Sequence, residues 1–348
     1  MRRSMAAALV LTVLLFGGAY LAAGKTPAQE TVPDGAAQEQ SPQGQKDSGV
    51  QLAVKNGDAV ENMALDAYLQ GVVRGEMPAS FEQEALKAQA AAERTYVYYQ
   101  LAAGRKEAHP QADVCTDPAC CNAWLSEEAA REKWGGDFDG WERRIEEAVA
   151  ATDGQVALYD GQPSMAGFDS SSAGKRAGAG DVWSGDVPYL RSVNSPEGEE
   201  TVPNYYSAAV FSAAEAKSLL AKAHPELTLQ GGPDRWFSAV ERDDSGRVRT
   251  VEVCGTALRG VELRRIFALR SACFTIDASA DKVTFRVTGY GHGVGMSQCG
   301  AVGYAAEEGM GYRDILKHYY SGVSIRTVGS GTSSGGGLFS WLRRLLGM

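Results

Sequence analysis

The chain carries no excess of positive charge, and this excludes one large class of function. Its 348 residues contain 34 Lys and Arg against 43 Asp and Glu, which gives a net charge of -9. Proteins that bind nucleic acids usually present a basic stripe to the phosphate backbone. A nucleic-acid partner is therefore excluded, whereas a neutral substrate such as a glycan is compatible with this composition.

The sequence also lacks the common nucleotide-binding and serine-hydrolase motifs. Its densest glycine cluster, Gly289–Ala301, which we call the glycine-rich segment, has no lysine in the phosphate-binding position and the wrong glycine spacing for a dinucleotide. The nucleophile-elbow pattern is absent around Ser170–Ser172, which disfavours a hydrolase that uses His292. His292 and Gln298 either face a surface that a ligand approaches or satisfy buried carbonyl groups.

A long apolar run opens the chain. Arg2 and Arg3 precede apolar residues from Met5 to about Gly24, a length of roughly 20 residues that spans a bilayer core. The two arginines predict that the N-terminus stays on the cytoplasmic side of the membrane. We expect residues 1–24 to be a membrane anchor, with a cleaved signal peptide as the alternative because small residues end the run. Both interpretations place the rest of the chain outside the cytoplasm, and the anchor would hold it at the cell membrane.

Two polar segments flank a folded region. Residues 25–49 contain almost no large apolar side chains, so burial cannot offset the entropy of ordering them, and we expect a disordered linker. Residues 327–337 form a Gly/Ser linker. Residues 338–348 place leucines and a tryptophan on one helical face with two arginines opposite. Such an amphipathic helix fits a membrane surface, a partner, or the domain itself.

The folded region, residues 50–326, is expected to be a single large α+β domain. Helices are predicted at Glu82–Ala103, Trp141–Ala151, Ala213–Ala223 and about Gly300–Tyr320, in addition to the helix described next. Strands are predicted at Val50–Val54, Val156–Tyr159, Ser164–Phe168, Val248–Val253 and Lys282–Val287. Early helices and late strands indicate helices packed on a mainly antiparallel sheet.

The most informative segment is a helix that places an acidic residue on its apolar stripe. Leu65, Leu69 and Val72 form the apolar stripe of this helix. Glu76 continues the stripe, while Arg74 falls on the polar side. Burial raises the pKa of a carboxyl group, as a general acid near neutral pH requires. Pro78 stops the helix beside a loop that a substrate can reach. The alternative is an ion pair with Lys87 or Arg94.

Residues 109–124 form a compact insertion with four clustered ligand groups. One imidazole and three thiols suit tetrahedral zinc, and four protein ligands make a site closed and structural. Exported cysteines also pair as disulfides, so the residues alone leave zinc and disulfide open. The four residues are His109, Cys115, Cys120 and Cys121.

Several motifs in the same order resemble the stage II sporulation protein D family, over roughly Gln51 to Ile325. The segments that carry the resemblance are Gly75–Pro78, Leu86–Tyr96, Ser170–Gly174, Leu269–Ser271, Gly291–Gln298 and Ile315–Tyr320. Members look like membrane-anchored lytic transglycosylases that cut peptide-free peptidoglycan strands during engulfment of the forespore. The resemblance thus implies peptidoglycan as the substrate, together with a sporulation amidase and the membrane scaffold of the engulfment complex as partners.

The resemblance also implies roles for particular residues. Glu76 becomes the catalytic acid and base. Some members bind zinc through two histidines and two cysteines in the insertion, and Cys120 stands here in place of one histidine. Residues expected to line the glycan cleft are Lys87, Arg94, Tyr96, Ser170, Ser172, His292 and Gln298.

Two functions remain open from the sequence. The first is a lytic transglycosylase that cleaves the bond after N-acetylmuramic acid with a 1,6-anhydro product. The second is a non-catalytic activator of a partner amidase, since a related branch is described as amidase enhancers. Ordinary glycosidases use two carboxylates, and Asp169 and Asp181 are possible second acids.

Overall fold

A computed structural model describes residues 47–328. The helices are α1 (Leu65–Glu76), α2 (Gln83–Ala103), α3 (Glu127–Trp134), α4 (Phe138–Ala151), α5 (Ala179–Val182), α6 (Ala213–Ala223), α7 (Gly260–Ile266), α8 (Gln298–Glu307) and α9 (Tyr312–Tyr319). The strands are β1 (Gln51–Asn56), β2 (Ala59–Ala64), β3 (Val114–Cys115), β4 (Gln155–Tyr159), β5 (Gln162–Pro163), β6 (Phe168–Asp169), β7 (Tyr206–Ser212), β8 (Phe237–Arg242), β9 (Val248–Val253), β10 (Thr256–Arg259), β11 (Phe274–Ala278), β12 (Lys282–Thr288), β13 (Met296–Ser297) and β14 (Ser324–Thr327). This combination confirms the predicted α+β class.

Helix α1 carries the predicted buried stripe, because Leu65, Leu69 and Val72 have no exposed surface. It ends at the extended backbone of Met77, the residue before Pro78. Arg74, expected on the polar side, is instead buried, and its Nε donates to Oε2 of Glu142 at 2.7 Å. That expectation was wrong because α4 packs against α1 and supplies the carboxylate.

Helix α2 is central to the fold. Helices α1, α4, α8 and α9 and strand β4 all pack against it. Its alanines at positions 85, 88 and 92 are fully buried. Small side chains along this stripe allow these neighbours to approach closely.

The strands form several small sheets rather than one. The pairing is mainly antiparallel, as predicted, in β1–β2, β5–β4–β14, β8–β9–β10 and β11–β12–β7. Two pairs are parallel, β1 with β3 and β6 with β13. Helices and loops separate the short strands along the chain, so each sheet covers a different part of the core.

The buried apolar side chains form two clusters. The first contains the stripes of α1, α2, α8 and α9. The second lies within residues 209–287 and includes Trp236, Phe274 and Phe285. The chain enters this second region after β6 and leaves it before β13, and those two strands pair with each other. The predicted domain therefore contains an inserted region, between β6 and β13, that has a hydrophobic core of its own.

Two predicted elements differ from the structure. The strand predicted at Ser164–Phe168 is replaced by β5 and β6, because the chain turns where the Gly167 N–H donates to the Met165 carbonyl at 2.9 Å. The single helix predicted at Gly300–Tyr320 is divided into α8 and α9. Gly309 has a φ of +64 between them, a left-handed conformation that ends helices.

The folded chain extends slightly beyond both predicted boundaries. Asp47, assigned to the first linker, is buried and accepts a hydrogen bond from the Tyr98 hydroxyl at 3.0 Å. Val328, assigned to the second, is buried and donates to the Gly154 carbonyl at 2.8 Å. The predicted anchor and C-terminal helix, residues 1–24 and 338–348, lie outside the described residues. Within residues 47–328, every helix is too short or too polar to cross a membrane.

Candidate active site and metal-ligand cluster

Glu76 lies at the C-terminal end of α1 with its side chain half-buried. Its Oε1 accepts a hydrogen bond from the backbone N–H of Ala123 at 2.6 Å. Burial raises the pKa of Glu76 to about 7, and the hydrogen bond from Ala123 opposes that rise. The carboxyl group therefore exchanges its proton near neutral pH.

The ion pair considered for Glu76 is not formed. Lys87 donates instead to Oε1 of Glu84 at 2.5 Å, and Arg94 pairs with Asp47. A cation beside Glu76 would lower its pKa. The arrangement found here leaves burial as the main influence on that group.

A second carboxyl group, that of Glu93, is more deeply buried than that of Glu76. Glu93 is fully buried in α2, where its Oε1 accepts from Nε2 of Gln89 at 2.8 Å and its Oε2 from Nδ2 of Asn122 at 2.6 Å. Burial, and then the charge of Glu76, raise the pKa of Glu93 well above its usual value. Sequence reasoning missed Glu93, although the four-residue spacing from Gln89 places both side chains on one helical face.

Gln298 connects these groups to the glycine-rich segment. As the first residue of α8, it donates from Nε2 to the backbone carbonyl of Glu76 at 3.0 Å and lies 3.5 Å from Oε1 of Gln89. Of the residues predicted to line a cleft, Gln298 is thus the one with a direct contact to Glu76. A chain of hydrogen bonds through Gln298 and Gln89 thus connects the Glu76 carbonyl with Glu93.

Two glycines of α1 make room for the segment that follows the insertion. A Cβ on Gly71 would lie 2.0 Å from Nε1 of Trp124, and one on Gly75 would lie 2.8 Å from the Ala123 carbonyl oxygen. The Leu125 N–H also donates to the Gly71 carbonyl at 2.9 Å. Residues 122–125 therefore lie directly on α1, which brings Ala123 to Glu76.

The four predicted metal ligands come together. The ligand atoms of His109, Cys115, Cys120 and Cys121 all lie within 4.8 Å of one another. Nδ1 of His109 is 2.9 Å from the Ala112 carbonyl, which fixes the proton on Nδ1 and leaves Nε2, 3.5 Å from Sγ of Cys121, as the ligand atom. Three sulfurs and one imidazole nitrogen fit a closed tetrahedral zinc site.

Tyr96 and Lys106 border this cluster. The Lys106 ammonium donates to the Tyr96 hydroxyl at 2.9 Å and lies 3.6 Å from Sγ of Cys121. Tyr96 is therefore close to the metal ligands, and its predicted contact with a glycan stays a prediction.

Arg94 belongs to a buried structural network. Its side chain has no exposed surface, and it pairs with Asp47 at 3.2 Å and with Asp66 at 2.9 Å. It also donates to the Thr152 carbonyl at 2.7 Å. Because this buried guanidinium is already held by protein acceptors, its placement does not support its predicted role in the cleft.

His292 lies in a second polar region, around Asp169. Its Nε2 is 3.0 Å from the Phe168 carbonyl and its Nδ1 accepts from the Val294 N–H at 3.1 Å. Burial, together with nearby arginines, lowers the pKa of His292 to about 4, so the ring is neutral near pH 7. The two predicted serines lie nearby in sequence. Ser172 donates to Oε1 of Glu197 at 2.5 Å, and Ser170 is half-buried.

Neither aspartate considered as a second acid has the required environment. Burial opposes the charge of Asp169, but Arg176, which donates to it at 2.7 Å, holds the pKa of Asp169 below its usual value. Asp181 forms an ion pair with Arg249. Both carboxylates are thus paired with arginines, and the lowered pKa makes Asp169 a poor proton donor near neutral pH.

Comparison with known proteins identifies the family. The sequence pattern described as "Stage II sporulation protein" matches residues 54–159, which include Glu76, Glu93 and the metal-ligand cluster. The chain is 35% identical over 288 residues to "Stage II sporulation protein D" of Bacillus amyloliquefaciens, covering 82% of this chain and 81% of that protein. It belongs to the stage II sporulation protein D family. This confirms the resemblance seen in the sequence motifs.

Two further relatives of this family member are informative. "Stage II sporulation protein D" of Bacillus subtilis (strain 168) is 35% identical over 268 residues, 77% of this chain and 76% of that protein. "Amidase enhancer" of the same organism is 27% identical over 306 residues, 74% of this chain and 40% of that protein. The similarity thus extends over most of this chain in both proteins.

Proposed function

We propose that this protein is a lytic transglycosylase that cleaves the bond between N-acetylmuramic acid and N-acetylglucosamine in peptide-free glycan strands during forespore engulfment. The observation that carries the proposal is the half-buried carboxyl group of Glu76, whose pKa is raised to about 7 by burial. Near neutral pH such a group is available both as an acid and as a base.

One carboxyl group is sufficient for this reaction. The protonated Glu76 donates its proton to the glycosidic oxygen as the bond from that oxygen to C1 of muramic acid breaks. The resulting carboxylate removes the proton from the C6 hydroxyl of the same sugar, and the C6 oxygen bonds to C1. No water is consumed, and Glu76 ends the cycle protonated.

Burial of Glu93 supports a single-acid mechanism over ordinary hydrolysis. A second carboxylate in a glycosidase contacts either the sugar or the attacking water. Both oxygens of the buried Glu93 carboxyl group are already bonded to protein amide groups, which argues against a contact with the sugar or the water. The pairing of Asp169 and Asp181 with arginines argues in the same direction.

The mass of the product tests the proposal. Purified protein incubated with peptide-free glycan should release 1,6-anhydro ends, about 18 mass units lighter than the products of hydrolysis. Glu76→Gln should lower turnover by roughly 100-fold to 10,000-fold, while the exposed control Glu147→Gln should not. Hydrated reducing ends as the main product would contradict the transglycosylase reaction.

A second candidate function is activation of a partner amidase. The similarity to "Amidase enhancer" of Bacillus subtilis favours it. In that case, the protein should increase the rate of a sporulation amidase on intact peptidoglycan, and Glu76→Gln should preserve the increase. Glycan cleavage by the protein alone would distinguish the first function from the second.

We also propose that His109, Cys115, Cys120 and Cys121 hold one structural zinc ion. Their mutual distances and the orientation of the imidazole support this assignment. Four protein ligands leave no open position, so the ion would stabilise the insertion rather than act on the glycan. Metal analysis of the protein purified under reducing conditions should find about one zinc per chain. A Cys115 disulfide in a metal-free protein would contradict this proposal.

Finally, we propose that residues 1–24 anchor the protein in the cell membrane with the folded domain outside the cytoplasm. Sequence supports the anchor through its length and the flanking Arg2 and Arg3. The proposed partners are a sporulation amidase and the membrane scaffold of the engulfment complex, with residues 338–348 as a second contact. Fractionation of cells, with and without residues 1–24, tests the anchor.

A further inference from the structure

Buried polar atoms without hydrogen-bond partners concentrate in one place. Within residues 47–328, five of the seven such side-chain atoms belong to three residues. They are Nε, Nη1 and Nη2 of Arg247, Nε of Arg270 and Oγ of Ser171. Because native proteins pair nearly all buried polar atoms, such a group requires an explanation, for example an ion or ligand that completes it.

All three residues contact the glycine-rich segment. The guanidinium of Arg247 lies so close to Gly293 that a Cβ there would be 2.0 Å from its Cζ. The guanidinium of Arg270 stacks over the ring of Tyr290 at 4.8 Å. The backbone N–H of Ser171 donates to the Tyr290 carbonyl at 2.9 Å. The three residues thus meet the same stretch of chain, Tyr290 to Gly293, although they are distant from one another in sequence.

Positive charge exceeds negative charge in this region. The positive charges of Arg176, Arg247 and Arg264 all act on Asp169. Among these three guanidinium groups, only that of Arg176 donates a hydrogen bond to it. Glu197, the other carboxylate that acts on Arg176, is bonded to two serine hydroxyls. A buried guanidinium without a bonded acceptor is costly, and an anion relieves that cost better than water does.

We propose that this region binds a small carboxylate group, with Arg247 as the main ligand and Arg270 and Ser171 as additional donors. The planar fork of a guanidinium matches the two oxygens of a carboxylate. Binding requires a rearrangement, because Arg247 is closed to solvent. The half-buried side chains of Arg264 and His292 belong to the same charge cluster.

The chemistry of the glycan suggests the source of the carboxylate, and this step rests on the function proposed above. Muramic acid carries a lactyl group that is a free carboxylate only when no stem peptide is attached, since the peptide converts it into an amide. A site for that carboxylate would therefore select peptide-free strands. A free small carboxylate ion is the other source of the same chemistry.

Calorimetric titration of the full chain tests the site without any turnover. The probes are sodium acetate, N-acetylmuramic acid and, as a sugar without a carboxylate, N-acetylglucosamine, all at constant ionic strength. We expect the first two to bind and the third not to bind. Arg247→Met should weaken binding at least about tenfold. Arg249→Met, a change at an exposed position two residues further along the chain, should leave it unchanged.

The outcomes separate the possibilities. Binding of N-acetylmuramic acid at least about tenfold tighter than acetate identifies the glycan as the source, whereas equal affinities identify a free ion. Absence of binding, or equal binding by Arg247→Met, overturns the site. If Arg247→Met does not fold, Arg270→Met and Ser171→Ala should each weaken binding. Because cleavage is measured separately, binding without 1,6-anhydro products would contradict only the proposed reaction.

Discussion

The backbone N–H of Ala123 donates to Oε1 of Glu76 at 2.6 Å, and this bond connects the metal-ligand cluster to the proposed catalytic acid. Ala123 lies two residues after Cys121, a cluster member. Asn122, between them, donates to Glu93. The segment that leaves the cluster therefore contributes a hydrogen bond to each of the two buried carboxyl groups.

The raised pKa of Glu76 predicts how activity depends on pH. The acid step requires the protonated group, and its pKa is about 7. We expect kcat/KM for glycan cleavage to fall about tenfold for each pH unit above about 7. A pH series of initial rates measures this. A profile that stays flat up to about pH 9 would contradict the assignment of Glu76 as the acid.

Glu76 should also reduce stability at alkaline pH. Its pKa is raised from 4.5 to about 7 on folding, so the folded protein favours the proton. The stabilising contribution is complete below about pH 4.5 and is lost as the pH rises through about 7. Glu76→Gln should therefore be more stable than the natural protein at pH 8, by up to roughly 3 kcal/mol, and much less so at pH 5. Urea unfolding at both pH values, with Glu147→Gln as the control, measures the difference.

Substitutions of Glu93 separate shape from charge. Glu93→Ala leaves the amide groups of Gln89 and Asn122 without their acceptor, and should cost about 2 to 5 kcal/mol of stability and most of the activity. Burial and the charge of Glu76 raise the pKa of Glu93 well above its usual value, which favours the neutral form that a Gln side chain also has. Glu93→Gln should therefore retain a pH profile with an apparent pKa of about 7, as for Glu76 itself. A profile displaced by the Gln variant would show that Glu93 acts through its charge.

Two glycine substitutions test the contact between α1 and the segment after the insertion. Gly71→Ala places a Cβ against Trp124 and should cost about 1 to 3 kcal/mol, with loss of activity because residues 122–125 are displaced. Gly140→Ala, in α4, meets no atom within 4 Å and should be neutral or stabilising by up to about 1 kcal/mol. Thermal unfolding compares the two. Equal effects would show that the close contact with Trp124 is unimportant.

Loss of the proposed zinc should loosen the hydrogen bond to Glu76. Cys115→Ser should lower the zinc content and increase the hydrogen exchange of the Ala123 amide, because the preceding residues are no longer held. Cys254→Ser, which changes a cysteine outside the cluster, serves as the control. Normal protection of the Ala123 amide in metal-free protein would contradict this coupling.

Much of the site was predictable because its signals are local. The 3.6-residue period identified the stripe of α1, and Pro78 located its end, which together place Glu76 at the edge of the core. The four predicted metal ligands fall within thirteen residues of the sequence, so their proximity also followed from the sequence. The second carboxyl, on Glu93, was missed because an acidic residue on a helix is usually solvated, and its burial comes from elements distant in sequence.

By itself, the sequence determined the apolar stripe of α1, the residue at which α1 ends and which groups are able to ligate a metal. Tertiary structure alone decided what packs against those faces. The donor to Glu76 is 47 residues away, and the partner that buries Arg74 is 68 residues away. Periodicity specifies that a position is buried but not its neighbours, and a pKa depends on those neighbours through desolvation and hydrogen bonding. The proton affinity of Glu76 is therefore a property of the assembled fold.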